Sequence, residues 1–112
     1  MPLNHRPVVR VIPVQPALRI RLLAHLPLEV AFTGITYYLA VARAPVSGLW
    51  QLEARYAGGC WLCEYRSSED KLRKAIYEEG LKFAGASVPR VIFERLVKEG
   101  RAETVGAGAS VP

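Results

Sequence analysis

Residues 48–66 read Gly-Leu-Trp-Gln-Leu-Glu-Ala-Arg-Tyr-Ala-Gly-Gly-Cys-Trp-Leu-Cys-Glu-Tyr-Arg, two alternating aromatic-rich runs joined at Gly58-Gly59. Alternation with period two marks strands, and a glycine pair supplies the backbone freedom of a two-residue hairpin turn. With Gly58-Gly59 as the turn, Tyr56 faces Trp61, Ala54 faces Cys63 and Leu52 faces Tyr65, so Trp50, Tyr56, Trp61 and Tyr65 share a face. The same register sets Glu53 against Glu64 on the polar face, flanked by Arg55 and Arg66. If the aromatic face is core, Trp61→Ala costs about 3–5 kcal/mol.

Upstream, Pro2, Pro7, Pro13 and Pro16 exclude helix, and Val8 to Ile12 and Leu18 to Leu26 read as strands. Arg19, Arg21 and His25 fall on the outward side of the second of these, and Leu18, Ile20, Leu22, Ala24 and Leu26 on the inward side. Leu28 to Phe32 and Ile35 to Arg43 read as strands around Thr33-Gly34, with too few polar positions to assign an outside. A helix opening at Pro27 is the competing reading of that stretch.

After Arg66 the period lengthens to three or four. Ser67 or Ser68 caps a helix whose stripe is Leu72, Ala75, Ile76, Gly80 and Phe83, with Gly80 a weak point in it or the end of a shorter one. Ser87 caps a second helix, with Pro89 in its first turn and Gly100 as its stop. The expected fold is α+β: an antiparallel meander of four to six strands from Val8 to Arg66, then two C-terminal helices packed on one face of the sheet, the aromatic one. Residues 1–105 form one domain, and 106–112 a disordered C-terminal tail.

The chain carries a net charge of +5 in 112 residues, with a pI near 9.6. Residues 1–45 hold five arginines against Glu29 alone, a net of +4. That balance suits an anionic partner, and arginine's planar fork suits phosphate. Two cysteines three apart in a strand point to opposite faces and form neither a disulfide framework nor a redox CxxC. Met1 to Pro7 has no apolar signal core, so the expectation is a reduced, cytoplasmic protein. Leu26 to Ala42 is broken by Glu29, Thr33, Gly34 and Thr36, which speaks against a membrane span. No nucleophile elbow, phosphate loop or paired histidine motif occurs, so the sequence points away from an enzyme and calls for no metal or cofactor.

Leu81-Lys82-Phe83-Ala84-Gly85-Ala86-Ser87-Val88-Pro89-Arg90-Val91 is similar to the turn region of helix-turn-helix proteins, and Lys98 to Val105 to the start of a wing strand. The resemblance implies Pro89 and Arg90 facing a DNA groove, with Arg95 and Lys98 on phosphates. A two-helix cover over the sheet accounts for the same residues. Aromatic and arginine positions on the hairpin offer a second route, a single-strand platform with bases on Trp50, Trp61 or Tyr65 and phosphate on Arg55 or Arg66.

The function expected from sequence is a small, basic, non-catalytic module binding DNA or RNA through Arg10, Arg19, Arg21, Arg55, Arg66 and Arg90. The alternative is a protein-interaction or oligomerisation domain, with a small apolar ligand pocket between sheet and helices. The N-terminal strand, Val8 to Ile12, is expected to pair at a sheet edge of its own chain or of a second copy.

Overall fold

After a first strand, β1 (Leu18–Leu22), alternation in the middle of the chain builds four more: β2 (Leu28–Phe32), β3 (Ile35–Arg43), β4 (Trp50–Tyr56) and β5 (Gly59–Arg66), paired in chain order as an antiparallel meander. The structure, a computed structural model, describes residues 16–106. Thr33 and Gly34, both at positive φ, close the β2–β3 hairpin and settle Leu28 to Arg43 as strands. The Val8 to Ile12 strand, Arg10 and most of the expected tail lie outside the described residues.

The β4–β5 hairpin forms with a different register. Tyr56 pairs with Gly59 and Ala54 with Trp61, so the turn is Ala57-Gly58. The Tyr56 ring folds over Gly58, where a Cβ would stand 2.6 Å from its Cε2, so this turn requires the missing side chain. Tyr56 and Trp61 still meet, diagonally, as stacked rings 6.5 Å apart. Farther along, the register slips between Leu52 and Glu53, with Cys63 as the extra residue of a β-bulge. Beyond the bulge the side chains of β5 change face. Tyr65 pairs with Gln51 and leaves the aromatic face, while Glu64 pairs with Leu52 and never meets Glu53.

The first described strand, β1 (Leu18–Leu22), does not join the meander. It is the centre of a second antiparallel sheet, between β6 (Leu81–Phe83) and β7 (Ala102–Thr104). Ile20 lies opposite both Leu81 and Thr104. Because β6 and β7 both oppose β1, they run parallel to each other, and the helix between them completes a split β-α-β unit.

Ser68 caps α1 (Glu69–Lys74), its hydroxyl accepting from the Lys71 N–H. The helix widens into a π-helical segment, Ala75–Glu79, and stops at Gly80, whose φ is +87°. A Cβ on Gly80 would stand 2.7 Å from Arg19 Cγ, so the stop is also where β1 passes closest. Ser87 caps α2 (Val88–Lys98), with Pro89 in the first turn and Gly100 at positive φ beyond its end.

The helices bury their stripes against both sheets: α1 touches β4 and β5, the π-helical segment touches β1, and α2 touches β2, β5 and β7. One core results, centred on Phe93, Ile92, Leu96, Ile76, Ile20 and Leu39, all fully buried, with Phe83 and Phe93 ring to ring at 4.8 Å. The fold is therefore α+β in the strand-then-helix order expected, with β1 withdrawn into a sheet built by the C-terminal strands.

Trp61 is 39% exposed, so it is a rim residue rather than a core anchor. Trp61→Ala should cost about 1–2 kcal/mol, chiefly its ring pair and partial burial. Phe93→Ala should cost about 3–5 kcal/mol. Urea denaturation of the two variants checks the order, and equal losses would contradict this core.

Candidate functional site

Among the described residues, the arginines singled out from sequence do not converge. Arg90 is 3% exposed, and its Nη1 donates to the carbonyls of Pro16 and Gly85, both at 2.8 Å, with Nε 3.4 Å from Glu94. It is a buried staple that ties β1's approach and the 84–87 loop to α2, not a groove-facing residue. The helix-turn-helix resemblance fails at the same place, because Leu81–Phe83 is a strand and no helix leads into the turn.

Arg19 and Arg21 share the outer face of the three-stranded sheet, where Arg19 pairs in register with Lys82 and Arg21 with Glu103. Arg19 donates to the Gly80 carbonyl at 3.0 Å, and Arg21 forms an ion pair with Glu103. Arg55, on the other sheet, holds Glu53 through Nε and Nη2 at 3.0 and 2.9 Å. Arg66 lies past the bulge, where it contacts Glu64 at 3.1 Å and donates to the Tyr65 carbonyl at 2.7 Å. Exposed pairs of this kind are worth little individually and exchange readily. What counts against a single phosphate-binding surface is their dispersal over different faces.

The outer face of the four-stranded sheet is a different kind of surface. Register aligns Glu29, Tyr38, Arg55 and Cys60 in one row, Ala40, Glu53 and Leu62 in the next, and Ala42, Gln51 and Tyr65 in a third. Tyr38, Leu62 and Tyr65 are 44%, 50% and 51% exposed, so no described element covers them. In the middle, Glu53 is nearly buried by its neighbours, accepting from Arg55 on one oxygen and from Gln51 Nε2 at 3.1 Å on the other. The charged residues in these rows are Glu29, Glu53 and Arg55, a net of −1. Size alternates between β5 and β3: Leu62 and Tyr65 on β5 share their rows with Ala40 and Ala42 on β3, while in the first row Tyr38 on β3 shares with Cys60 on β5.

Tyr65 reaches this face only through the bulge, and no sequence period announces a bulge. Tyr38 had a signal, its opposite phase to the buried Tyr37 and Leu39, but β3 lacks the polar partners that would have fixed which phase is out.

The sheet's two edges are partly closed. On β5 the Tyr65 N–H donates to Glu64 Oε1 at 3.2 Å while Arg66 fills its carbonyl, and on β2 Arg101 Nη2 donates to the Glu29 carbonyl at 2.8 Å. Side chains thus occupy groups that an added strand would need, and the bulge twists β5 further from a flat template.

Among the described residues there is no group of three or more His, Cys, Asp or Glu placed to hold a metal ion, and no helix long and apolar enough to cross a membrane. Comparison of the chain with protein-family models, curated proteins and solved structures finds no match.

Both cysteines are free thiols. Burial, reinforced by Cys60 and Glu64, pushes the Cys63 thiol up to about 12. Burial and Glu53 raise Cys60 as well, against the lowering effect of Arg55, yet its side chain is exposed. A raised thiol pKa favours the neutral form, so alkylation at pH 8 should be slow at Cys60, faster as pH rises, and slower still at half-buried Cys63. Mass mapping after iodoacetamide treatment checks this, and labelling of Cys63 ahead of Cys60 would contradict the packing.

Proposed function

We propose that this protein is a non-catalytic association module that pairs with a second copy of itself through the outer face of the four-stranded sheet. The observation that carries this reading is that each row of that face sets one large residue against one small one across β3 and β5: Tyr38 with Cys60, Ala40 with Leu62 and Ala42 with Tyr65. A twofold axis along β4 lays β5 of one copy over β3 of the other. Leu62 and Tyr65 then oppose Ala40 and Ala42, and Tyr38 opposes Cys60, so each large side chain meets a small one. The same patch serves both partners, as an isologous contact requires. Closed edges favour docking on the face over strand addition.

The face measures roughly 20 by 25 Å from strand spacing and rise. That is below the ~800 Å² per partner of a standard interface, so the expected affinity is micromolar rather than nanomolar. Two free thiols accord with a cytoplasmic setting.

The second reading, nucleic-acid binding, has support from Arg19, Arg21 and Lys82 clustered on the outer face of the other sheet. The two readings use separate surfaces and separate tests. Sedimentation equilibrium should give a mass approaching twice the 12.4 kDa of the chain at high concentration. Leu62→Asp with Tyr65→Asp should return it to the monomer mass with an unchanged circular dichroism spectrum, and a monomer at all concentrations would overturn the proposal. Changing Arg10, Arg19 and Arg21 to Gln should leave that mass alone. A nucleic-acid binder would instead lose affinity with the same change, and its log-salt slope would flatten by about three units.

A further inference from the structure

Between the end of β2 and the exposed side of α2 runs an open groove of about 330 Å³, lined by Phe32, Val91, Glu94, Arg95 and Lys98. Its size is at the lower end for small-molecule sites, which run from roughly 300 to 1,000 Å³. Phe32, packed against the core, and half-buried Val91 give it an apolar floor.

The charge around it is unbalanced. Glu94 is engaged by the buried Arg90 at 3.4 Å. Glu99 is held by two guanidinium groups, Arg95 at 3.1 Å and Arg101 through Nε at 3.0 Å. Those hydrogen bonds, Arg101's first, keep the Glu99 carboxyl below its ordinary range, so it is ionised throughout neutral pH. Lys98 pairs with no carboxylate among the described residues. Of the charged residues that line it, Arg95 and Lys98 outnumber Glu94, a net of +1 over an apolar floor, with Lys98 unpaired among the described residues.

We propose that this groove binds a small organic carboxylate with a compact apolar body, its ring or short chain on Phe32 and Val91 and its carboxylate on Lys98 and Arg95. A neutral apolar molecule would leave the cations unanswered, and a bare anion would leave the floor wet. The groove shares no residue with the rows of the sheet's outer face, so the two proposals stand or fall separately.

The test is a titration of the full-length, ¹⁵N-labelled protein with 3-phenylpropionate, 3-phenylpropanol and inorganic phosphate, followed through backbone amide shifts. The acid should give saturable shifts at Phe32, Val91, Arg95 and Lys98, with the alcohol and phosphate each binding about tenfold more weakly or less. Lys98→Gln, at an exposed position, should weaken the acid by about tenfold and leave the rest of the spectrum in place. Absence of saturable shifts, equal binding of acid and alcohol, equal binding of phosphate, or indifference to Lys98→Gln would each overturn the proposal. So would a tetraglutamate peptide shifting the same amides as strongly, which would point to an acidic protein segment.

Discussion

The pairing of β1 with both β6 and β7 is the constraint on which the remaining structure depends. Ile20 lies opposite Leu81 on one side and Thr104 on the other, so one short strand near the start of the described chain is held by two strands from its far end. Further bonds extend this clasp: the Val105 N–H donates to the Arg19 carbonyl at 2.7 Å, and the Leu23 N–H to that of Arg101 at 2.8 Å. Contacts so distant in sequence carry a loop-closure cost, and the buried stripe of α2 offsets it by docking between the clasp and the meander. Arg90 fastens the same region from within, donating to Pro16 and Gly85 where water cannot reach.

That long-range clasp is also what the sequence conveyed least. Four strands of the meander and both helix starts were legible because each carries a local signal: alternation in Trp50 to Tyr56, positive-φ residues at Thr33-Gly34, capping serines at Ser68 and Ser87. The three-residue strands Leu81–Phe83 and Ala102–Thr104 are too short for a period to show, and each adjoins a helical stretch whose pattern absorbs it. The hairpin register failed for a similar reason. Glycine at both 58 and 59 permits two turns, and the folded chain takes Ala57-Gly58 with the Tyr56 ring over Gly58, a packing that no sequence period announces.

Consequences for the candidate sites follow directly. The bulge at Cys63 sends Tyr65 to the outer face beside Gln51, and without it that face would lack one of its two tyrosines. Of the arginines proposed for nucleic acid, the five that lie among the described residues are divided between two sheets and the core, each bonded to carboxylates or carbonyls of the same chain. Net charge described the chain's solubility and its general attraction to anions, but geometry decides whether such charges act together. The surplus that is locally concentrated sits elsewhere, around α2, where Arg95 and Lys98 border a groove with an apolar floor.

If the outer face of the four-stranded sheet meets its own copy with β5 lying over β3, protons of the two copies come within Overhauser range there. An isotope-filtered nuclear Overhauser experiment on a mixture of labelled and unlabelled protein should then show intermolecular cross-peaks from the Tyr65 ring and Leu62 methyls to the methyls of Ala40 and Ala42. Intermolecular cross-peaks confined to the Arg19 and Lys82 face, or none at concentrations where sedimentation reports a dimer, would contradict that pairing.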